Sequence, residues 1–130
     1  MKSVVICGSN RFAKEAMEFA KKLEALGVEV LTPHFYTANY GDLNKVPEHH
    51  KKFIAMGLTH DQFQKIRVAD AVFVFNKDGY SGYSVSMEIG FATALAKPIY
   101  AFSENDPEIC RNILFQAIVK TPKQLANKLK

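Results

Sequence analysis

Hydrophobic and polar residues follow two periodicities along this chain. Short apolar runs rich in β-branched residues predict buried strands at 4–7, 28–31, 71–75, 99–102 and 117–119. Between them, apolar residues recur every three or four positions, which predicts helices at 12–26, 48–68 (with a break near Gly57), 84–95 and 106–115, and a last one from Pro122. Alternating strands and helices predict an α/β domain whose parallel sheet is covered on both faces.

The connection after the second predicted strand is long. It spans residues 32–47 and contains His34, Phe35, Tyr36 and Tyr40. Loops of this length in a small domain are commonly functional, and ligands of parallel α/β sheets bind beyond the carboxyl ends of the strands. We therefore expect one Rossmann-like or flavodoxin-like domain over residues 1–130, with about five parallel strands and with the loops after the first three strands gathered around a site.

A turn of sequence Gly8-Ser9-Asn10-Arg11 joins the first strand to the first helix. Such a turn directs backbone N–H groups and a helix N-terminus toward an anion, while Ser9 adds a hydroxyl and Arg11 a bidentate donor. The segment is neither GxGxxG nor a Walker loop, so it does not favour a dinucleotide or a nucleoside triphosphate. Two interpretations stay open: a phosphate site, or a helix capped by Ser9 with a solvated Arg11.

Glu88 is the only charged residue of the predicted helix 84–95. The residue three positions earlier is Val85, a poor N-cap, so the pattern does not favour a capping-box glutamate. A buried carboxylate without a partner is costly, and we expect the helix dipole to keep this one ionised. An ionised, poorly solvated carboxylate beside a strand-end cleft favours a nucleophile.

Other polar residues divide between structural and chemical interpretations. Asp61 is ambiguous, whereas Asp70 directly precedes the third strand and is typical of a structural turn or cap. Cys7 ends a buried strand and is expected to be a reduced core thiol. The two cysteines and four histidines form no metal-binding motif, so we expect neither a metal nor a cofactor.

Composition narrows the class of partner. The chain is 48% hydrophobic and 23% charged, as in ordinary globular domains, and its formal charge of +4 suits an anionic small molecule. Its last lysines lack interleaved aromatic residues, which disfavours nucleic acid. No apolar run approaches the ~20 residues of a membrane span, and no signal peptide precedes the first strand. We therefore expect a cytoplasmic protein without membrane contact.

Several segments in this order carry a family resemblance. They are 6–11 (ICGSNR), 29–34 (EVLTPH), 69–72 (ADAV) and 87–92 (MEIGFA), followed by Lys97-Pro98-Ile99. Over about the first hundred residues the chain resembles the nucleoside 2-deoxyribosyltransferase superfamily, and within it most the 2'-deoxynucleoside 5'-phosphate N-hydrolases.

The resemblance implies that Glu88 is the nucleophile and that Ser9 and Arg11 hold a 5'-phosphate. We expect Asp61 or a loop residue to manage the proton of the leaving base, and Phe35, Tyr36, Tyr80 or Tyr83 to stack on that base. The remaining residues expected at the substrate are Gly8, Asn10, His34, Gly82, Ser84 and Ser86. The family also implies a homodimer or higher homo-oligomer with sites near subunit interfaces.

Three positions depart from the family pattern. Val5 replaces a tyrosine of the hydrolases, and Gly82, with Ser84 and Ser86 nearby, stands where a serine or aspartate precedes the glutamate by six residues. Gln62 stands where the family has an aspartate, and Asp61 is one position away.

The expected reaction is hydrolysis of the N-glycosidic bond of a 2-deoxynucleoside 5'-monophosphate through a covalent glycosyl-enzyme. One alternative is deoxyribosyl transfer, in which a second base replaces water. The other is a nucleotide-binding or sensing module without turnover, which the three departures favour.

Overall fold

The computed structural model describes residues 1–34 and 43–130. Phe35 and Tyr36, two of the predicted base-stacking residues, and Tyr40 lie outside the described residues. The described strands are β1 (Val4–Gly8), β2 (Val30–Leu31), β3 (Ala71–Phe75), β4 (Ile99–Ala101) and β5 (Ala117–Ile118). The described helices are α1 (Ala13–Ala25), α2 (Glu48–Val68), α3 (Tyr83–Ala94), α4 (Ile109–Asn112) and α5 (Pro122–Lys128). Short 3-10 turns span Asn10–Phe12, Leu43–Lys45 and Lys77–Gly79.

The strands form one parallel sheet in the order β2-β1-β3-β4-β5. This is the flavodoxin-like order, and it confirms the predicted fold class. The order reverses between β1 and β3, which pair from Val4 opposite Ala71 to Gly8 opposite Phe75. Ligands of such sheets bind at the carboxyl edge of this reversal, so the segments after β1 and β3 are the ones to examine.

Helices cover both faces of the sheet, as the alternating pattern predicts. Side chains of successive strand residues point to opposite faces, so Ile6 packs beneath α1 and α5 while Cys7 packs beneath α2 and α3. On the first face the ring of Phe19 stacks on that of Phe73, with centroids 4.7 Å apart. On the second face Ile89 of α3 packs against the strands. This second face supports the site described below.

Asp70 ties the beginnings of the two central strands together. Its Oδ2 accepts hydrogen bonds from Ser3 N (2.8 Å) and Ser3 Oγ (3.1 Å), and its own N–H donates to Ser3 Oγ. These bonds lower the pKa of Asp70. The structural interpretation of Asp70 is therefore confirmed.

Two predicted helices differ from the structure. α2 runs unbroken through Gly57, since one exposed glycine costs a helix only about 1 kcal/mol. The predicted helix 106–115 is reduced to Ile109–Asn112. Here the Asp106 carboxylate accepts the Glu108 N–H (2.9 Å) and the Glu108 carboxylate accepts the Cys110 N–H (3.1 Å), so these side chains hold a turn before the helix begins.

Candidate active site

A cavity of about 280 Å³ lies where the segments after β1 and β2 meet α2 and the beginning of α3. This size is close to the lower end of ordinary small-molecule sites (about 300–1,000 Å³). Eight of the residues expected at the site from the sequence line it: Gly8, Ser9, Asn10, His34, Gly82, Tyr83, Ser84 and Glu88. Four others, Arg11, Asp61, Tyr80 and Ser86, lie outside the described lining. Tyr83 lines the cavity and is 94% exposed, and the neighbouring Met87 is 53% exposed.

Glu88 is placed by the second turn of α3. Gly82 is the N-cap and makes no side-chain capping bond, and Glu88 is the sixth residue of the helix. A capping-box glutamate is the third. The capping interpretation is therefore excluded, and the carboxyl group is directed to the cavity instead.

The described residues that bond to the Glu88 carboxyl group are polar and uncharged. Its Oε1 lies 3.5 Å from Gln62 Nε2, and its carboxyl group shares a hydrogen bond with the Cys7 thiol. Burial raises the pKa of Glu88 to about 7, and the bonds from Cys7 and Gln62 only partly offset this. Glu88 lies beyond the first turn, in which the helix dipole acts, and with a pKa of about 7 its carboxyl group is only partly ionised near neutral pH.

Cys7 is buried at the end of β1, as predicted, and also contacts the candidate nucleophile. Burial first, and the neighbouring Glu88 carboxylate second, raise the pKa of its thiol well above the ordinary value. The thiol therefore keeps its proton near neutral pH and can donate it in a hydrogen bond to Glu88. Neither its burial nor its chemistry makes it a second nucleophile.

Gln62 is the residue beside Glu88 that the sequence did not place in the site. It is only 5% exposed, and its Nε2 donates to Ile6 O at 3.0 Å. Its Oε1 has no hydrogen-bond partner among the described residues. Two signals point to it: Gln62 stands at the position of the family's aspartate, and it lies four positions before the buried Ile66, which puts both side chains on one face of α2.

The turn after β1 shows the capping interpretation directly. Ser9 Oγ accepts the Arg11 N–H at 3.2 Å, so Ser9 does cap the following 3-10 turn. Its hydroxyl hydrogen is still available as a donor to a ligand in the cavity. The Arg11 guanidinium carbon lies 3.7 Å above the Tyr80 ring, which itself packs edge-on against Phe12. Arg11 is thus held by an aromatic side chain near the cavity.

His34 and Asp61 form a pair at the edge of the cavity. His34 Nε2 lies 3.5 Å from Asp61 Oδ2, and Lys65 Nζ lies 2.7 Å from the same oxygen. Lys65 also donates to Thr32 O at 2.9 Å, which fixes the end of β2 against α2. Of the pair, only His34 lines the cavity.

Comparison with known proteins decides the family. The sequence profile of the nucleoside 2-deoxyribosyltransferase family matches residues 4–127. The chain belongs to this family. No curated protein matches its sequence significantly.

Two solved structures share the fold of this nucleoside 2-deoxyribosyltransferase family member. A conserved protein from Enterococcus faecalis V583 is 15% identical, with a TM-score of 0.63 over 99% of this chain and 97% of that one. The CMP N-glycosidase BcmB from Clostridium botulinum is 19% identical, with a TM-score of 0.53 over 98% of this chain and 97% of that one. In the part of this family member that the structure describes, no helix is long and apolar enough to cross a membrane.

In this family member an ion pair between the buried Asp106 and the partly exposed Arg111 contacts the beginning of α3. Arg111 donates to both carboxylate oxygens of Asp106, at 2.9 and 2.8 Å, and the Asp106 side chain is fully inaccessible. Arg111 Nη1 also donates to Ser86 Oγ at 3.1 Å, and Ser86 in turn donates to Gly82 O. Ser86, predicted at the substrate, thus contacts Arg111 and holds the first turn of the helix that carries Glu88.

Proposed function

We propose that this chain hydrolyses the N-glycosidic bond of a nucleoside 5'-monophosphate, with Glu88 as the nucleophile. The observation that carries the proposal is a partly buried glutamate of raised pKa that shares one cavity with the Ser9 turn. The name of the CMP N-glycosidase supports the same reaction class. The test is incubation with a panel of ribo- and 2'-deoxyribonucleoside 5'-monophosphates, with the free base detected by chromatography.

In the proposed reaction the Glu88 carboxylate attacks the anomeric carbon C1'. A bond forms between the carboxylate oxygen and C1' while the bond between C1' and the base nitrogen breaks, through a transition state like an oxocarbenium ion. The electron pair of the broken bond leaves with the base, which takes up a proton. Water then attacks C1' and releases Glu88, so the anomeric configuration is retained.

His34 is the described residue best placed to supply the proton to the leaving base. It lines the cavity, whereas Asp61 contacts His34 and Lys65 from outside the lining. We assign Asp61 a positioning role that holds the imidazole through its Nε2 and leaves the other ring nitrogen for the base.

The Ser9 turn would hold the 5'-phosphate. The Ser9 hydroxyl can donate to a phosphate oxygen, and Arg11 can swing from the Tyr80 ring to make a charge-assisted contact. A basic net charge of +4 favours the encounter with such an anion.

Arg11→Ala should weaken nucleotide binding about tenfold or more while leaving the binding of the matching nucleoside almost unchanged, because a hydrogen bond to a charged group contributes about 1.5–3 kcal/mol. Calorimetry with the monophosphate and the nucleoside measures both. Lys14→Ala, which removes an exposed cation of α1, is the matched control and should change neither affinity. Equal losses for nucleotide and nucleoside would show that Arg11 does not contact the phosphate.

The pH dependence of base release should follow the ionisation of Glu88. Only the carboxylate attacks, so the acid limb of the kcat/KM profile should have its midpoint near pH 7, where the pKa of Glu88 lies, and the need for a protonated donor to the leaving base should lower kcat/KM again at higher pH. The Cys7 thiol lowers that pKa by its hydrogen bond, so Cys7→Ala should move the acid limb to higher pH. Cys110→Ala, at an exposed cysteine, is the control and should leave the profile in place. An acid limb near pH 4–5 in the wild type would show that burial does not raise the pKa of Glu88.

A nucleotide-binding module without turnover is the second candidate. The neutral Gln62 in place of the family's aspartate favours it, since no second carboxylate of the described residues contacts Glu88. Binding of monophosphates without release of any base on the full panel would establish it, and release only in the presence of a second base would establish deoxyribosyl transfer. In either case the expected homo-oligomer would cover the exposed Tyr83 and Met87 at the cavity rim.

A further inference from the structure

One buried polar atom at the candidate site has no partner. Gln62 is 5% exposed, and its Nε2 donates to the carbonyl oxygen of Ile6 at 3.0 Å. A carbonyl can only accept, so this bond fixes which end of the amide is nitrogen. The other end, Oε1, is therefore an acceptor without a partner among the described residues. Buried acceptors are nearly always paired, so this one needs a donor that the described residues do not supply.

The position of this acceptor limits what the donor can be. The Gln62 amide lies 3.5 Å from the Glu88 carboxyl group, and both side chains line the cavity. If Glu88 attacks C1', the nearest donor on the sugar is a hydroxyl on C2', the next carbon. In a ribonucleoside this hydroxyl lies on the face opposite the base, and a nucleophile that displaces the base approaches from that same face.

We infer that Gln62 Oε1 accepts a hydrogen bond from the 2'-hydroxyl of the substrate, so that the site selects ribonucleotides over 2'-deoxyribonucleotides. This inference rests on the proposed function and specifies its sugar, for which the family resemblance implied 2-deoxyribose. A site with a polar group built for a substrate hydroxyl discriminates strongly against the analogue without it, because the protein group is then left unpaired.

The test compares Gln62→Met with Gln64→Met. Both remove an amide from α2, but Gln64 is exposed and lies outside the cavity lining. The probes are AMP, GMP, CMP and UMP with their 2'-deoxy and 3'-deoxy counterparts, and the readout is the ratio of kcat/KM for ribo over 2'-deoxy. The intrinsic reactivities of the two sugars cancel when this ratio is compared between variants. Gln62→Met should lower the ratio about 10- to 100-fold, whereas Gln64→Met should leave it unchanged.

A binding measurement covers the case in which Gln62→Met does not fold. It uses Glu88→Ala, because a glutamine at position 88 could itself donate to Gln62 Oε1. This variant should bind the ribonucleotide about tenfold or more tightly than its 2'-deoxy counterpart and bind the 3'-deoxy one nearly as well as the parent. Equal ribo and 2'-deoxy affinities, or a loss confined to the 3'-deoxy probe, overturn the inference.

The two proposals fail in different ways. Base release from ribo and 2'-deoxy substrates in a ratio that Gln62→Met does not change overturns the inference and leaves the glycosidase standing. Absence of base release from every probe removes the glycosidase, and the affinities of Glu88→Ala then still decide whether Gln62 contacts the 2'-hydroxyl.

Discussion

Glu88→Gln should lower kcat/KM for base release by at least about 10³-fold, since loss of a catalytic nucleophile typically costs that much or more. The variant keeps the shape of the side chain and a polar head group, so it should fold and still bind nucleotide. Chromatography of the released base measures the rate. Intact mass of the wild type after rapid quenching should show an added sugar phosphate if water attacks C1' more slowly than Glu88 does. Base release by Glu88→Gln at the wild-type rate would falsify the proposed mechanism.

Thermodynamic stability provides the control that the variant is folded. Burial raises the pKa of Glu88 from 4.5 to about 7, so the folded state holds a proton that the unfolded state has lost between these values. The associated stability is complete below pH 4.5 and is lost as the pH rises through about 7. Glu88→Gln has no such proton. The difference in free energy of unfolding between this variant and the wild type, measured with denaturant, should therefore favour the variant most at pH 8 and vanish near pH 4.

The fold was predictable because its signals are local and repeated. The run Ala71–Phe75 is buried throughout, and each predicted strand of the sheet exists within one residue of its predicted bounds, except β2, which begins at Val30 instead of Val28. Glu88 was equally predictable, since a single charged residue in an apolar helix can be identified without knowing which face of the helix is buried. The prediction of a helix over 106–115 was wrong because the carboxylates of Asp106 and Glu108 accept hydrogen bonds from nearby backbone N–H groups. These bonds compete with helix formation, and the spacing of apolar residues gives no indication of them.

The surroundings of Glu88 were less predictable because they depend on the rotation of one helix. Adjacent residues of a helix differ by about 100° around its axis. Asp61 consequently contacts His34 and Lys65, while its neighbour Gln62 contacts Glu88. The sequence drew attention to the carboxylate at position 61 because of its charge. The neutral amide at 62 is the one that the fold brings to the candidate nucleophile.

Arg111→Met should lower the free energy of unfolding by about 3 kcal/mol, because it leaves the inaccessible carboxylate of Asp106 without its cation. Denaturant unfolding measures the loss. Lys120→Met breaks an ion pair of similar length, 2.7 Å to Glu104, but both partners are about half exposed. Water solvates the remaining charge there, so this control should lose far less. Equal losses in the two variants would show that the burial of Asp106 does not determine how much unfolding free energy Arg111→Met loses.

The double variant Arg111→Met/Asp106→Leu separates the stability of the ion pair from its effect on the site. Replacing both charges should recover most of the lost free energy, since no unpaired carboxylate remains. Activity should recover less. Arg111 also donates to Ser86 Oγ, and Ser86 holds the first turn of the helix that carries Glu88. A double variant that regains stability but keeps a lowered kcat would show that the pair positions the nucleophile. Full recovery of both would show that it only stabilises the fold.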